Sequence, residues 1–258
     1  MSTSSVTRLA TTAVKGTRLR EVDSVTLGPN GAEGDRRFFL IDERDRLING
    51  VLLGELQGIL ASFDEPSGRL TLEFPDSAVV EDVIGLDTQI TTRRGSNEFR
   101  SAREVTGPWG PALSAWADRP VRLMYTASSI DRGTKGAASL ISRASLDRLA
   151  QEAGVESVDG RRFRMLIEVD GVAAHAEDDW VGRTIQIGET VIHFEGHIGR
   201  CKITTLDPDL GKADFPTLDL IRRYRGDLAL TEPIPFGVYG RVLQGGTVRV
   251  GDSVRPHG

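Results

Sequence analysis

The chain has 258 residues, 39% hydrophobic and 27% charged, with a formal net charge of −5 at neutral pH. That length and balance allow a sizeable core, in one large domain or two small ones, and exclude wholesale disorder. The acidic excess argues against a general nucleic-acid binder, which needs a basic surface to replace phosphate counterions.

No apolar run approaches the roughly 20 residues that cross a bilayer, and the strongest, Val51 to Phe63, is broken by Glu55 and Gln57. Met1 to Val6 is short and polar and does not read as a secretory signal. With a single cysteine, this predicts a reducing, cytoplasmic setting and no membrane partner.

The 29 glycines predict many tight turns and a mainly β chain with a few helices. After a Ser/Thr-rich start, Leu9 to Val14 and Val25 to Leu27 read as short strands, with Gly28 to Gly31 as a turn. Asp35 to Asp42 reads as the first strong strand. Its run Phe38-Phe39-Leu40-Ile41 fits burial on both faces, and Glu43-Arg44-Asp45 turns it into a hairpin with Arg46 to Asn49.

Ile59 to Phe63, Leu70 to Phe74 and Gln89 to Thr92 read as further strands, with an acidic loop around Glu81-Asp82. Pro111 to Ala117 reads as a helix with Pro111 at its first position, followed by a strand over Pro120 to Met124. The polar, aperiodic stretch Thr126 to Gly136 predicts a seam between two domains, 1–125 and 126–258.

The second unit opens with Ser142 as helix N-cap, an apolar face of Leu146, Leu149, Ala150 and Ala153, and Gly154 as the stop. Arg164 to Val169, Thr184 to Ile187 and Val191 to Glu195 read as strands, and Pro216 to Tyr224 as a helix. Phe236 to Val242 and Thr247 to Val250 read as a closing hairpin about Gly245-Gly246.

Cys201 is the chain's one cysteine. A lone thiol makes no internal disulfide, no zinc site of cysteine pairs and no iron–sulfur cluster, which leaves a buried apolar residue, a nucleophile or a metal ligand. His193, Glu195 and His197 alternate as residues on one side of a strand would, which makes them a metal-binding candidate, although Gly196 and Gly199 argue against a straight strand. Arg161, Arg162 and Arg164, and likewise Arg222, Arg223 and Arg225, would suit either an anion or a solvated face. A Cys-His pair has no local support, and no glycine-rich phosphate loop precedes a helix.

Several spaced motifs carry a resemblance. They are Ser139-Leu140-Ile141-Ser142, Arg162-Phe163-Arg164, Glu177-Asp178-Asp179-Trp180, Arg200-Cys201 through Thr204, Asp207-Pro208, Phe236-Gly237-Val238-Tyr239 and Gly251-Asp252. Together they resemble the MOSC family, named for the C-terminal domain of molybdenum cofactor sulfurases. Val14-Lys15-Gly16, Gly34-Asp35-Arg36-Arg37-Phe38 and Leu113-Ser114-Ala115-Trp116 resemble the domain that precedes this module in the family's amidoxime-reducing branch.

The resemblance implies an N-terminal β-barrel-like domain packed on a MOSC β-barrel. It also implies the molybdenum cofactor, with Cys201 as metal ligand and catalytic thiolate. Lys15, Arg36 or Arg37, and Arg164 would cradle the pterin phosphate. Ser142, Arg200 and Thr204 would be further cofactor contacts, and Asp207 and Asp209 would orient substrate or relay protons.

The implied reaction is reduction of N-hydroxylated small molecules with electrons from a separate redox protein. Alternatives are a sulfurtransferase whose Cys201 takes a persulfide from a sulfur donor, and a barrel that binds another ligand. Two departures weaken the cradle: Met165-Leu166 stands where Pro-Asn is usual, and Gly16 where serine is common.

Overall fold

Short apolar stretches between glycine turns pair into four sheets of eight, five, three and three strands, with three α-helices, among the described residues. The computed structural model describes residues 4–94, 98–128 and 131–257.

The large sheet runs in the order Val254–Pro256, Thr184–Ile187, Thr190–Gly199, Pro235–Gln244, Ala138–Ser142, Ile167–Asp170, Ser5–Thr11, Arg20–Val22. Ser5 also bridges to Ser253, flanked by Val6 N–H donating to Asp252 O at 2.9 Å and Val254 N–H to Ser4 O at 2.9 Å. The next-to-last strand, Ser5–Thr11, thus meets the segment leading into the opposite edge strand, Val254–Pro256, around a core of Leu9, Leu140, Ile167, Ile187, Phe194 and Val238. Ala138–Ser142 and Ile167–Asp170 run parallel, and α1 (Arg143–Ala153) lies in the crossover that parallel strands require. Ser142 caps this helix by accepting from Ser145 N–H, and Gly154 ends it in the left-handed region at φ 69°.

The five-stranded sheet orders Gly85–Arg94, Glu98–Thr106, Arg122–Tyr125, Phe38–Ile41 and Leu47–Ile48. It shares a core with the Leu60–Asp64, Arg69–Glu73, Val79–Val83 sheet through Phe38, Leu40, Leu56, Ile59, Leu70 and Trp109. All four residues of Phe38–Ile41 are fully buried, and Leu40 pairs with Ile48 as the hairpin reading requires.

Several boundaries differ from the sequence reading. Asp35 to Arg37 belong to a turn, because Gly34 (φ 70°) and Arg36 (φ 49°) are left-handed, so the strand starts at Phe38. Glu81 and Asp82 lie in an edge strand, Val79–Val83, where charged side chains protect an open edge. The first helix in the chain, Trp109–Trp116, starts two residues before Pro111.

Gly246–Arg249 does not pair with Pro235–Gln244 but with Ser24–Gly28. Any side chain at Gly245 would meet Leu27 O at 3.0 Å, so the chain there lies against the N-terminal strand. This pairing and that of Ser5–Thr11 with Ile167–Asp170 join the first 28 residues to the second half. No helix is long and apolar enough to cross a membrane, among the described residues.

Candidate functional site

Two arginines in left-handed backbone face one cavity. Arg36 sits at φ 49° in the turn after Gly34, with its N–H donating to Thr12 O at 2.7 Å. Arg164 sits at φ 55°, where it ends the 3-10 turn Gly160–Phe163. Left-handed backbone is costly for a residue with a Cβ, and such strain clusters at functional sites. Arg36 Nη2 donates to Arg164 O at 2.7 Å, and Arg164 Nη2 donates to Thr17 O at 2.7 Å, so each half of the chain holds the other's cation.

Around them lie two carboxylates and a lysine. Asp35, 4% exposed, accepts from Thr12 N–H at 2.9 Å and pairs with Arg36 at 2.5 Å. Asp131 pairs with Lys15 and, at 3.2 Å, with Arg36 Nε. Burial lowers the Arg36 pKa, but Asp35 and Asp131 outweigh that and raise it above the ordinary value. Burial pushes the Asp35 carboxyl upward despite Arg36. Arg164 is pushed down to about 10, first by burial and then by Arg36.

The opposite wall carries the thiol. The strand Thr190–Gly199 ends at Arg200, whose N–H donates to Ile234 O at 3.0 Å, and exposed Cys201 then opens the turn Lys202–Thr205. Thr204 N–H and Oγ1 both donate to Cys201 O at 3.1 Å and hold the turn shut. The Arg200 guanidinium donates to Phe236 O at 2.7 Å, Phe163 O at 3.0 Å and Met165 Sδ at 3.1 Å, and lies 5.1 Å from the Phe163 ring centroid. Burial pushes its pKa down to about 9, and the strongest opposing charge is Cys201.

These residues enclose a cavity of about 320 Å³, within the size range of small-ligand pockets. Lys15, Arg36, Arg164, Arg200, Cys201 and Thr204 line it, together with Met165 and Leu166. The last two are 1% and 2% exposed, so the wall where an amide was expected is apolar.

Four expected site residues lie elsewhere. Arg37 Nε pairs with Glu65 at 2.8 Å and its Nη1 donates to Asn30 O and Ala127 O, because the left-handed residue before it turns the two arginines apart. Ser142 is fully buried in the cap of α1, bonded to Ser145 and Glu177. Asp207 Oδ1 accepts from Asp209 N–H at 2.9 Å and Leu210 N–H at 2.6 Å, which makes it a turn residue. Asp209 is gripped by Arg161 at 2.9 Å on each oxygen and by Arg18 at 3.1 Å.

The histidine triplet does not converge. Register shifts between Phe194 and Gly196 and between His197 and Gly199 break the alternation. His193 meets Thr184, Glu195 meets Arg241 and His197 meets Thr231, and no group of three His, Cys, Asp or Glu side chains suits a metal ion, among the described residues. The arginine clusters also disperse: Arg162 pairs with Asp214, Arg222 with Asp219, Arg223 with Glu152 and Arg225 with Asp178.

Asp131 and Arg132 line the cavity without having been named from sequence, and Asp35 and Tyr239 line it after appearing only inside quoted motifs with no role assigned. Arg132 clamps Glu232 at 2.6 and 3.0 Å and lies 4.2 Å from the Tyr239 ring centroid, while Glu232 accepts from Gly199 N–H at 2.7 Å. For Asp131 and Arg132 the charged pair itself was the local signal. Inside a polar stretch it reads as linker.

Mitochondrial amidoxime-reducing component 1 of Mus musculus is 34% identical over 121 residues, 45% of this chain and 35% of that protein. Mitochondrial amidoxime reducing component 2 of Homo sapiens is 36% identical over 99 residues, 36% of this chain and 29% of that protein. The chain thus spans about a third of the length of the curated relatives it matches.

Among solved structures, the YUAD protein from Bacillus subtilis aligns over 99% of this chain and 96% of its own, with a TM-score of 0.46 and 12% identity. The MOSC domain profile matches residues 127–255, half of the sequence, with Cys201, Arg164 and Arg200 inside the match, and the chain belongs to the MOSC domain family.

Proposed function

We propose that this cavity binds the molybdenum cofactor and that the chain reduces N-hydroxylated compounds with electrons from a separate redox protein. One observation carries the reading: the chain's one thiol lines the same cavity as a set of cations that includes Lys15, Arg36 and Arg164. The names of the curated relatives support the same reaction class.

The residues fit the cofactor at two points. Cys201 offers a soft thiolate to a thiophilic metal, and Lys15, Arg36 and Arg164 suit a phosphate monoester. Neither Arg164 nor Arg200 is ion-paired with a carboxylate among the described residues, and burial depresses both. An anionic ligand would restore what burial takes from them. The apolar wall of Met165 and Leu166 offers no side-chain hydrogen bond to such a ligand other than the weak acceptor at Met165 Sδ, which already meets Arg200.

When bound, the cofactor would supply two-electron oxygen-transfer chemistry at the metal. The overall reaction takes R–NH–OH with two electrons and two protons to R–NH2 and water. The chain's own part is to hold the anionic end, present the Cys201 thiol, and keep water from the far wall with Met165, Leu166 and Phe163. With one cysteine it builds no iron–sulfur cluster, so the electrons come from a partner.

Molybdenum analysis with pterin fluorescence, on protein purified from cofactor-replete cells, tests the reading. Both are expected in near-equal amounts with the native chain, and molybdenum is expected to be lost in Cys201→Ser. Native protein with neither would refute it.

The exposure of Cys201 favours a second reading, sulfur transfer. A donor persulfide R–S–SH would pass its terminal sulfur to the Cys201 thiol, leaving R–SH and a cysteine persulfide. Intact mass after incubation with a persulfide donor decides it, since one added sulfur that is absent in Cys201→Ser is required.

A further inference from the structure

We infer that Ile234 is a positioning residue for the thiol: held in the left-handed region, it aims its carbonyl at the Arg200 N–H and so fixes the direction in which Cys201 leaves the sheet. The inference rests on Cys201 being the metal's thiolate, as proposed above.

The strand pairing stops at this point for a covalent reason. Gly199 lies opposite Pro235, which has no N–H to give, and the Pro235 carbonyl is taken by Arg225 Nε at 3.0 Å. The last two amides before Cys201 therefore find other acceptors. Gly199 N–H donates to Glu232 Oε2 at 2.7 Å, and Arg200 N–H to Ile234 O at 3.0 Å. A side chain at Gly199 would meet Glu232 Oε2 and Pro233 O, each at 2.8 Å, so glycine is what allows this close approach.

Ile234 sits at φ 50°. A β-branched residue there is an outlier, and such a conformation persists only where its surroundings over-determine it. Both flanks are anchored. Glu232 is clamped on its two oxygens by Arg132, at 2.6 and 3.0 Å, and Pro235 O is held by buried Arg225, itself paired with Asp178 at 2.6 Å. With Glu232 and Pro235 fixed, the left-handed turn at Ile234 is what brings its carbonyl to Arg200.

This hydrogen bond reaches the thiol more directly than the Arg200 side chain does. The guanidinium is bound to Phe236 O and Phe163 O, but it ends a flexible stem, whereas the N–H belongs to the backbone one residue ahead of Cys201. On the other side, Thr204 N–H and Oγ1 hold Cys201 O. The exposed thiol thus sits between two backbone restraints, where side-chain packing adds little. A ligand group held in place beforehand loses less conformational freedom when it binds.

Three replacements separate strain from direction. Glycine at 234 keeps the left-handed turn and relieves its cost, alanine keeps the cost, and proline, fixed at about −65° in φ, forbids the turn. Ile234 N–H makes no hydrogen bond among the described residues, so proline there removes no donor that the fold uses. In full chain from cells that make no pterin cofactor, NMR reads exchange of the Arg200 amide, and electron paramagnetic resonance reads the mobility of a methanethiosulfonate nitroxide on Cys201, the chain's one thiol.

Ile234→Gly is expected to unfold about 2–4 °C above Ile234→Ala, with native Arg200 exchange and native nitroxide mobility. Ile234→Pro is expected to exchange the Arg200 amide at least about tenfold faster, with a narrower nitroxide spectrum. Glu232→Ala releases one flank and is expected to give the same two changes, which keeps the test decisive should the proline variant not fold. In cofactor-replete cells, molybdenum per pterin is expected to hold in Ile234→Gly and to fall in the other two.

Equal unfolding of the glycine and alanine variants would overturn the inference, as would native Arg200 exchange and nitroxide mobility in folded Ile234→Pro or Glu232→Ala. Unchanged molybdenum per pterin in a variant whose thiol has loosened would overturn it too. Failure of the cofactor reading looks different: native protein with neither molybdenum nor pterin, whose amide exchange and nitroxide mobility still follow residue 234, refutes that reading and leaves Ile234 as the residue that positions the thiol.

Discussion

Replacing Arg164 by glycine and by alanine separates the cost of its backbone from the work of its side chain. Arg164 sits at φ 55°. Alanine there retains the left-handed penalty of about 1–2 kcal/mol, whereas glycine escapes it and gives back about 0.5–1 kcal/mol through its looser unfolded chain. Both variants lose the 2.7 Å hydrogen bond to Thr17 O and both remove a cation that burial and Arg36 destabilise, so those effects cancel in the comparison. The remainder makes Arg164→Gly more stable than Arg164→Ala by about 1 kcal/mol, or roughly 2–4 °C in midpoint for a chain of this size. Thermal and urea unfolding without phosphate measure that difference, and calorimetric titration with methyl phosphate is expected to show both variants losing the cradle's affinity. Equal stabilities would refute the strain argument, and native-like ester affinity in Arg164→Gly would remove Arg164 from the cradle.

Other consequences are open to direct measurement. Cys201→Ser should change unfolding free energy by no more than about 0.5 kcal/mol, because the thiol is exposed, while abolishing molybdenum retention; urea melts and metal analysis check the two halves separately. Ser142→Ala should cost about 1–2 kcal/mol through the lost cap of α1 and leave cofactor content unchanged, since the hydroxyl lies among Ser145 and Glu177 and not in the cavity. His175 is held down to about 3 by burial first, then by Arg225 and Arg148. Between pH 6.5 and that value only the unfolded chain binds its proton, so native stability is full above pH 6.5 and falls as the pH drops, by up to about 1.4 kcal/mol per pH unit. In His175→Asn, which tolerates the left-handed backbone at that position, urea unfolding across pH 4 to 7 should show a shallower slope.

Some of this molecule is written in adjacent residues. The run Phe38 to Ile41 has no polar member and is buried on both faces. Ser142 and Gly154 bracket α1 because a hydroxyl acceptor and a Cβ-free left-handed residue each meet a local need of the helix. Cys201 was legible as a candidate through ordered motifs, not through its flanking charges, and it lines the cavity. Its neighbour Arg200 turned out to be a buried strut bound to Phe236 O and Phe163 O.

The rest depends on contacts that no local pattern carries. Arg36 and Arg37 read alike in sequence, yet one left-handed residue sends the first into the cavity and the second to Glu65. Asp207 and Asp209 lie close to Cys201 along the chain but are consumed by a turn and by Arg161. Asp131 reads as linker and becomes a cradle residue only because Lys15, 116 positions earlier, is brought against it. Periodicity, caps and motifs act over a few residues, and adjacent residues therefore already carry a mainly β chain, the capped helix α1 and the motifs that mark its family. Which cations and carboxylates share the cavity depends on long-range strand pairing, because Ser5–Thr11 against Ile167–Asp170 and Ser24–Gly28 against Gly246–Arg249 join the two halves of the chain.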